Sequence, residues 1–208
     1  MDIISNFVVF EGGDGSGTTT QLSMLSERLK TVGKPLFYPT FEPTDGPVGK
    51  LIRSALKKEI VLKPQSLALL FAADRNEHLY GPEGIFAQIN KGCLAVSDRY
   101  VLSSLVYQGI ECGDDLPNLL NSPFPAPEVT FFLDIDAETA LSRMKSRSSF
   151  EIYEYREFQE KVRNKYLSLT ETYRAAGARV ETIDAGKSPQ EIADQVWSII
   201  SCLPIFKV

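Results

Sequence analysis

The sequence holds one histidine, three cysteines and one tryptophan in 208 residues, and these scarcities close off several kinds of chemistry. Cys93, Cys112 and Cys202 are odd in number, far apart and never arranged as C-x-x-C, so neither a disulfide framework nor a zinc site is expected. With His78 alone and no G-x-S-x-G elbow, a Ser-His-Asp triad lacks its parts, and His78 is read as structural. No apolar run approaches the roughly 18 residues of a membrane span, and the chain starts with neither a basic cluster nor a small-residue cleavage site. The expectation is a soluble, cytoplasmic protein with no membrane partner. Lys and Arg number 22 against 27 Asp and Glu, for a net charge of -5 without a dense basic stripe. A nucleic-acid surface held by clustered cations is therefore not expected, whereas a small phosphorylated ligand needs only a few local cations.

What remains is ordinary globular usage, 43% hydrophobic and 24% charged, with no fixed-period repeat, which predicts one domain over residues 1–208. Residues 6–11 (N-F-V-V-F-E) read as a strand running into a glycine-rich turn. Leu22, Leu25 and Leu29 then recur at helical spacing over 19–29. A second strand is expected at 35–38, broken by Pro39 and Pro43, and helices at 48–58 and from Pro64 to Asn90 with a pause at Gly81-Pro82. Buried-type strands follow at 93–98 and 129–134, both ending in Asp, then helices at 137–147 and 158–176. A last strand at 179–183 and a helix at 189–200 close the chain. Strands alternating with helices predict an α/β fold, a parallel five-stranded sheet covered on both faces, with ligands at the carboxyl ends of the strands.

The turn after the first strand reads Gly12-Gly13-Asp14-Gly15-Ser16-Gly17-Thr18-Thr19, which fits G-x-x-x-x-G-K-[ST] at both glycines and the final hydroxyl. Such a loop turns its backbone N–H groups toward phosphate oxygens at a helix N-terminus, and Thr19 is placed to offer its hydroxyl to Mg²⁺. Thr18 stands where the motif has lysine. A hydroxyl brings no charge to the transferring phosphoryl group, so nucleotide binding is expected to survive this better than catalysis.

Four segments in order, F-E-G-G-D-G-S-G-T-T-T-Q (10–21), L-L-F-A-A-D-R-N-E-H (69–78), D-R-Y-V-L-S-S-L-V-Y-Q-G (98–109) and F-L-D-I-D (132–136), resemble those of the thymidylate kinase family, and the likeness covers roughly residues 7–197. It implies a three-layer phosphate-loop kinase fold with a short mobile lid at about 143–154, and Mg²⁺-dependent transfer of the γ-phosphoryl of ATP to dTMP. It also implies a homodimer. ATP would be held by the loop from Gly12 to Thr20. The resemblance places Phe71 on the thymine ring, Arg75 on a thymine carbonyl or neighbouring group, and Gln108, four residues after Ser104 on one helix, on the amide edge of the base. Arg99 would clamp the monophosphate, Asp98 would contact Mg²⁺ with Thr19, and Tyr100 would pack under the deoxyribose and disfavour a 2′-hydroxyl. Asp14 would face the 3′-hydroxyl, Arg53 would add a cation near the acceptor phosphate, and Glu42 matches the glutamate of the family's R-E-P.

The chain departs from that pattern at Thr18, at Phe41 (the arginine of R-E-P), at Leu102 (an acidic residue in many relatives) and at Ile152, aligned with a lid arginine. Arg143, Lys145 and Arg147 read either as lid cations that compensate or as exposed helix charges. Three functions stay open on these residues: a dTMP kinase, a catalytically impaired relative that binds nucleotides as a sensor or partner subunit, or a kinase for another monophosphate, against which Phe71, Arg75 and Gln108 argue.

Overall fold

A computed structural model describes residues 2–33, 35–143 and 149–207. Five strands, β1 (Ile3–Gly12), β2 (Leu36–Phe41), β3 (Cys93–Asp98), β4 (Ala126–Asp134) and β5 (Val180–Asp184), form one parallel sheet in the order β2-β3-β1-β4-β5. The connections carry α1 (Thr18–Val32), α2 (Pro47–Leu56), α3 (Pro64–Tyr80), α4 (Ile85–Asn90), α5 (Val101–Cys112), α6 (Asp115–Asn121), α7 (Ala137–Arg143) and α8 (Ser149–Ala175), with α9 (Pro189–Ile200) last. Among the described residues no helix is long and apolar enough to cross a membrane.

The sheet is apolar on both faces because alternate side chains of each strand enter different cores. Phe7, Val9 and Phe132 pack with Tyr100, Val106 and Tyr166 on one side. Val8, Phe10, Phe131 and Leu133 pack with Leu25 and Leu29 of α1 and with Ile192 and Val196 of α9 on the other. Backbone hydrogen bonds place the strand ends for chemistry: the Arg99 N–H donates to Phe10 O at 2.8 Å and the Glu42 N–H donates to Asp98 O at 3.1 Å, which ties together the turns that follow β1, β2 and β3.

Several boundaries differ from the sequence-based expectation for identifiable reasons. β1 starts at Ile3, because Asn6 takes a left-handed φ of 61° and the β1–β4 register shifts between Ile4 and Val8, a bulge that interrupts the alternation. β2 runs through Pro39, which an edge strand tolerates because one side of its backbone needs no ladder hydrogen bond. α8 begins at Ser149 rather than at 158, so of the segment expected as a lid Arg143 closes α7 and residues 149–154 open α8, while residues 144–148 lie outside the described residues. Lys145 and Arg147, within that segment, lie outside the described residues.

Candidate phosphate-binding and acceptor site

The turn between β1 and α1 has the backbone geometry that a phosphate cradle requires. Gly15 and Gly17 have φ of 78° and 92°, values that a side chain disfavours, and a Cβ at position 15 would also lie 2.9 Å from Ala140 O. Residues 13–21 line a cavity of about 480 Å³ whose other walls include Arg99, Arg143 and Lys187. Thr18 opens α1 and is nearly buried, facing this cavity without a charge. The Thr19 hydroxyl donates to Asp98 Oδ2 at 2.6 Å, and Asp98 Oδ1 is buried with no partner among the described residues. A hydroxyl and a carboxylate so placed suit Mg²⁺, which binds proteins through one or two such oxygens and completes its shell with phosphates and water. Among the described residues no group of three or more His, Cys, Asp or Glu is placed to hold a metal without such help. Arg143 donates to Gly15 O at 3.3 Å and to Ala185 O at 2.8 Å, so its guanidinium bridges the phosphate loop and the turn after β5.

A second cavity, about 310 Å³, opens on the far side of the same loop. Asp14 and Arg99 line both cavities. Arg99 follows Asp98 at the end of β3 with a φ of 75°, unusual for any residue but glycine. Its guanidinium donates to Gly12 O at 3.2 Å, to Ser103 Oγ at 3.3 Å and to Asp14 Oδ1 at 3.2 Å, and it lies 5.3 Å from the centre of the Tyr107 ring. The other oxygen of Asp14 accepts from the Tyr155 hydroxyl at 3.3 Å.

Phe71, Ser104 and Gln108 line this second cavity from α3 and α5. The Oε1 of Gln108 is buried without a partner among the described residues, an acceptor turned toward nothing in the protein. Arg75 also reaches the wall, but its guanidinium is already committed. It donates to Glu42 Oε2 from Nε at 3.0 Å and from Nη2 at 2.7 Å, to Tyr100 O and Ser104 Oγ at 3.0 Å each, and to Asn121 Oδ1. Burial alone would push the Glu42 carboxyl up, yet Arg75 and His78 together hold it below its ordinary range. With Glu42 ionised, His78 donates to it from Nδ1 at 3.0 Å and accepts the Thr40 hydroxyl at Nε2, 2.6 Å away. His78 is thus the structural histidine that the sequence suggested. Breaking such a buried pair costs about 3–5 kcal/mol, so Arg75 is held rigidly rather than free to follow a ligand.

Two of the expected residues are held by contacts of their own. The Tyr100 ring faces the cavity, but it is only 2% exposed and its hydroxyl donates to Pro125 O at 3.1 Å, on the side away from the phosphate loop. Arg53 is not among the side chains lining either cavity. It donates to Thr44 O at 2.5 Å, pairs with Asp45 at 3.5 Å and covers the Phe41 ring at 5.3 Å. Leu102, the departure inside D-R-Y-V-L-S-S, is buried in the core.

Sequence reasoning missed Tyr107, whose buried hydroxyl faces the second cavity with no well-formed partner among the described residues. It also missed Lys187 on the phosphate-loop cavity, and Glu11 and Ser103 behind Arg99. Glu11 alone left a signal, as a carboxylate within an otherwise apolar strand.

The chain is similar to proteins that bear thymidylate kinase names. One from Treponema pallidum is 45% identical over 170 residues, 81% of each chain. One from Pyrobaculum aerophilum is 40% identical over 202 residues, covering 97% of this chain and 99% of the relative, and one from Pyrobaculum calidifontis is 38% identical over 93% and 95%. The family model described as thymidylate kinase matches residues 10–196, a span that takes in the loop after β1, the second cavity and the first two-thirds of the closing helix. With both nucleotide-sized cavities inside that match, the chain belongs to the thymidylate kinase family.

Proposed function

We propose that the chain transfers the γ-phosphoryl group of ATP to dTMP, giving dTDP and ADP, as one catalytic unit over residues 1–208 with a lid at about 143–154. The observation that carries this is the position of Arg99, which with Asp14 stands on the walls of both cavities. A phosphoryl group has to pass between a donor and an acceptor phosphate, and a cation shared by both sites aligns the attacking and leaving oxygens.

In this reading ATP is held by the backbone of Gly12, Gly13, Asp14, Gly15, Ser16 and Gly17 and by Thr18, Thr19 and Thr20. Thr19 and Asp98 would hold Mg²⁺, which when bound offsets charge on the phosphate oxygens. The Arg99 fork matches the oxygens of the acceptor phosphate, one of which bonds to the γ-phosphorus as the bond to ADP breaks. Phe71 offers a face to thymine, and the unpartnered Gln108 amide oxygen accepts from its ring N–H. Arg75, with Glu42 behind it and Ser104 beside it, walls the base edge. Asp14 and the Tyr107 hydroxyl face the sugar, so Tyr107 joins Tyr100 in excluding a 2′-hydroxyl.

The same geometry predicts selectivity. In calorimetry dTMP should bind in preference to dCMP, dGMP and the ribose analogue of dTMP. Equal affinity for all four would strip Phe71, Gln108 and Tyr107 of their proposed roles.

The resemblance puts a lysine where this loop has Thr18, and the described cations on the loop cavity are Arg99, Arg143 and Lys187, with Lys145 and Arg147, outside the described residues, proposed as further lid cations. That difference supports a second reading, a nucleotide-binding relative with slow turnover. Single-turnover measurement of phosphoryl transfer separates the two.

The chain is also proposed to form a homodimer. Leu51 of α2, Leu69 of α3 and Leu119 of α6 are 43%, 52% and 69% exposed, on three helices of which α3 packs against both α2 and α6, and they supply apolar side chains for a second copy to cover. Sedimentation should show a dimer that Leu69→Lys with Leu119→Lys converts to monomer. A wild-type monomer at micromolar concentration would refute it.

A further inference from the structure

Glu11 lies on β1 directly before the phosphate loop, 1% exposed, and lines neither nucleotide cavity. Its carboxylate is nevertheless the centre of a bond set that ends on Arg99. Oε1 accepts the backbone N–H of Tyr100 at 2.9 Å and of Ser103 at 3.2 Å, and Oε2 accepts the Ser103 hydroxyl at 2.6 Å and the Tyr166 hydroxyl at 3.0 Å. Tyr100 and Ser103 stand at the start of α5, whose first N–H groups have no partner within the helix. A carboxylate from another strand therefore caps α5, which suits the positive end of the helix dipole. Ser103 Oγ passes the contact on, since it accepts from Arg99 Nη1 at 3.3 Å.

The backbone at Arg99 needs such support. Its left-handed φ of 75° is a conformation that costs a non-glycine residue about 1–3 kcal/mol and persists only where the surroundings over-determine it. Here the Arg99 N–H donates to Phe10 O at 2.8 Å, the Ser97 hydroxyl donates to Arg99 O at 2.8 Å, and the next N–H, of Tyr100, donates to Glu11. Burial pushes the Glu11 carboxyl up, while Ser103, Arg99 and Tyr166 oppose that.

We propose that Glu11 is a positioning residue for the acceptor phosphate: by capping α5 and orienting Ser103 it fixes the Arg99 guanidinium between the two cavities. This rests on the proposed role of Arg99 as the cation shared by both sites. Glu11 itself touches neither substrate.

The test is a double-mutant cycle read by dTMP affinity, with Glu11→Gln, which keeps the shape and removes the charge, Arg99→Ala and the double variant, alongside ATP affinity and thermal melting. Glu11→Gln should weaken dTMP binding about tenfold, a coupling within the usual range for groups sharing one network, and leave ATP affinity within about twofold. In the Arg99→Ala background the same change should alter dTMP affinity by less than about twofold, although Tm falls as much as before. If Glu11→Gln does not fold, Ser103→Ala interrupts the same relay and should give the same dependence on Arg99. An equal loss in both backgrounds would show that Glu11 supports the fold alone and would overturn the inference. A wild-type dTMP affinity in Arg99→Ala itself would instead remove the reading of Arg99, and with it any role for Glu11 through that residue.

Discussion

Arg99→Ala is expected to weaken dTMP binding by about 1.5–3 kcal/mol, the scale of hydrogen bonds to charged groups, which is roughly 10- to 150-fold in affinity. Alanine at position 99 bears the same left-handed φ of 75° that arginine does, so the backbone strain is unchanged and the loss reports the guanidinium. Because Arg99 also lines the phosphate-loop cavity, kcat should fall along with dTMP affinity. ATP affinity should change little, since the loop backbone and α1 carry it. Arg99→Lys should restore only part of the loss, because an ammonium lacks the planar fork that spans Gly12 O, Ser103 and Asp14. Equilibrium binding and steady-state kinetics with varied dTMP measure both effects. Unchanged dTMP affinity in the alanine variant would place the acceptor phosphate elsewhere.

Thr18→Lys is expected to raise kcat by about 10²–10³ with little change in KM, the signature of a charged donor felt mainly in the transition state. The cradle itself is made by backbone N–H groups and by glycines at positions 15 and 17, none of which depends on the side chain at 18. Thr18 already faces the cavity from the first turn of α1, so the longer side chain enters it without displacing a strand. Arg143 is the described cation best placed to weaken the expectation, because its guanidinium bridges Gly15 O and Ala185 O at the rim of the loop. If that charge already serves the transferring group, the added lysine should change kcat little and Arg143→Ala should nearly abolish turnover. Kinetics on wild type, Thr18→Lys and Arg143→Ala distinguish the two, and brisk turnover unaffected by either change would contradict both.

The fold was readable because most of its strands are short apolar runs, three of them next to a glycine turn, and the longer helices such as α1, α3 and α9 show a period. Where those signals are weak the pattern gave less. α6 is only Asp115–Asn121 with Pro117 inside it, too short for a period to register. Asn6 hid the first residues of β1 by a left-handed bulge that no alternation reveals.

In the site, the phosphate loop was legible because its chemistry is contiguous, whereas the second cavity is assembled across the chain. Ser103 and Tyr166 meet Glu11 from positions 92 and 155 residues away, and Asn121 meets Arg75 across 46. No spacing rule announces such contacts. Arg75 and Phe71, one helical turn apart, were legible as a pair, but not that a buried Glu42 and Asn121 had already taken most of the guanidinium. The resemblance puts Arg53 near the acceptor phosphate, but no spacing in the sequence shows that Thr44 and Asp45 hold its guanidinium.

The most direct measurement of phosphoryl transfer between the two cavities is steady-state turnover of the purified chain with ATP, Mg²⁺ and dTMP, following both products. Transfer through Arg99 and the phosphate loop predicts that dTDP and ADP form in equal amounts, that the reaction stops when Mg²⁺ is chelated, and that dTMP is used in preference to dCMP and dGMP. ADP formed without dTDP, or equal use of all three monophosphates, would contradict it.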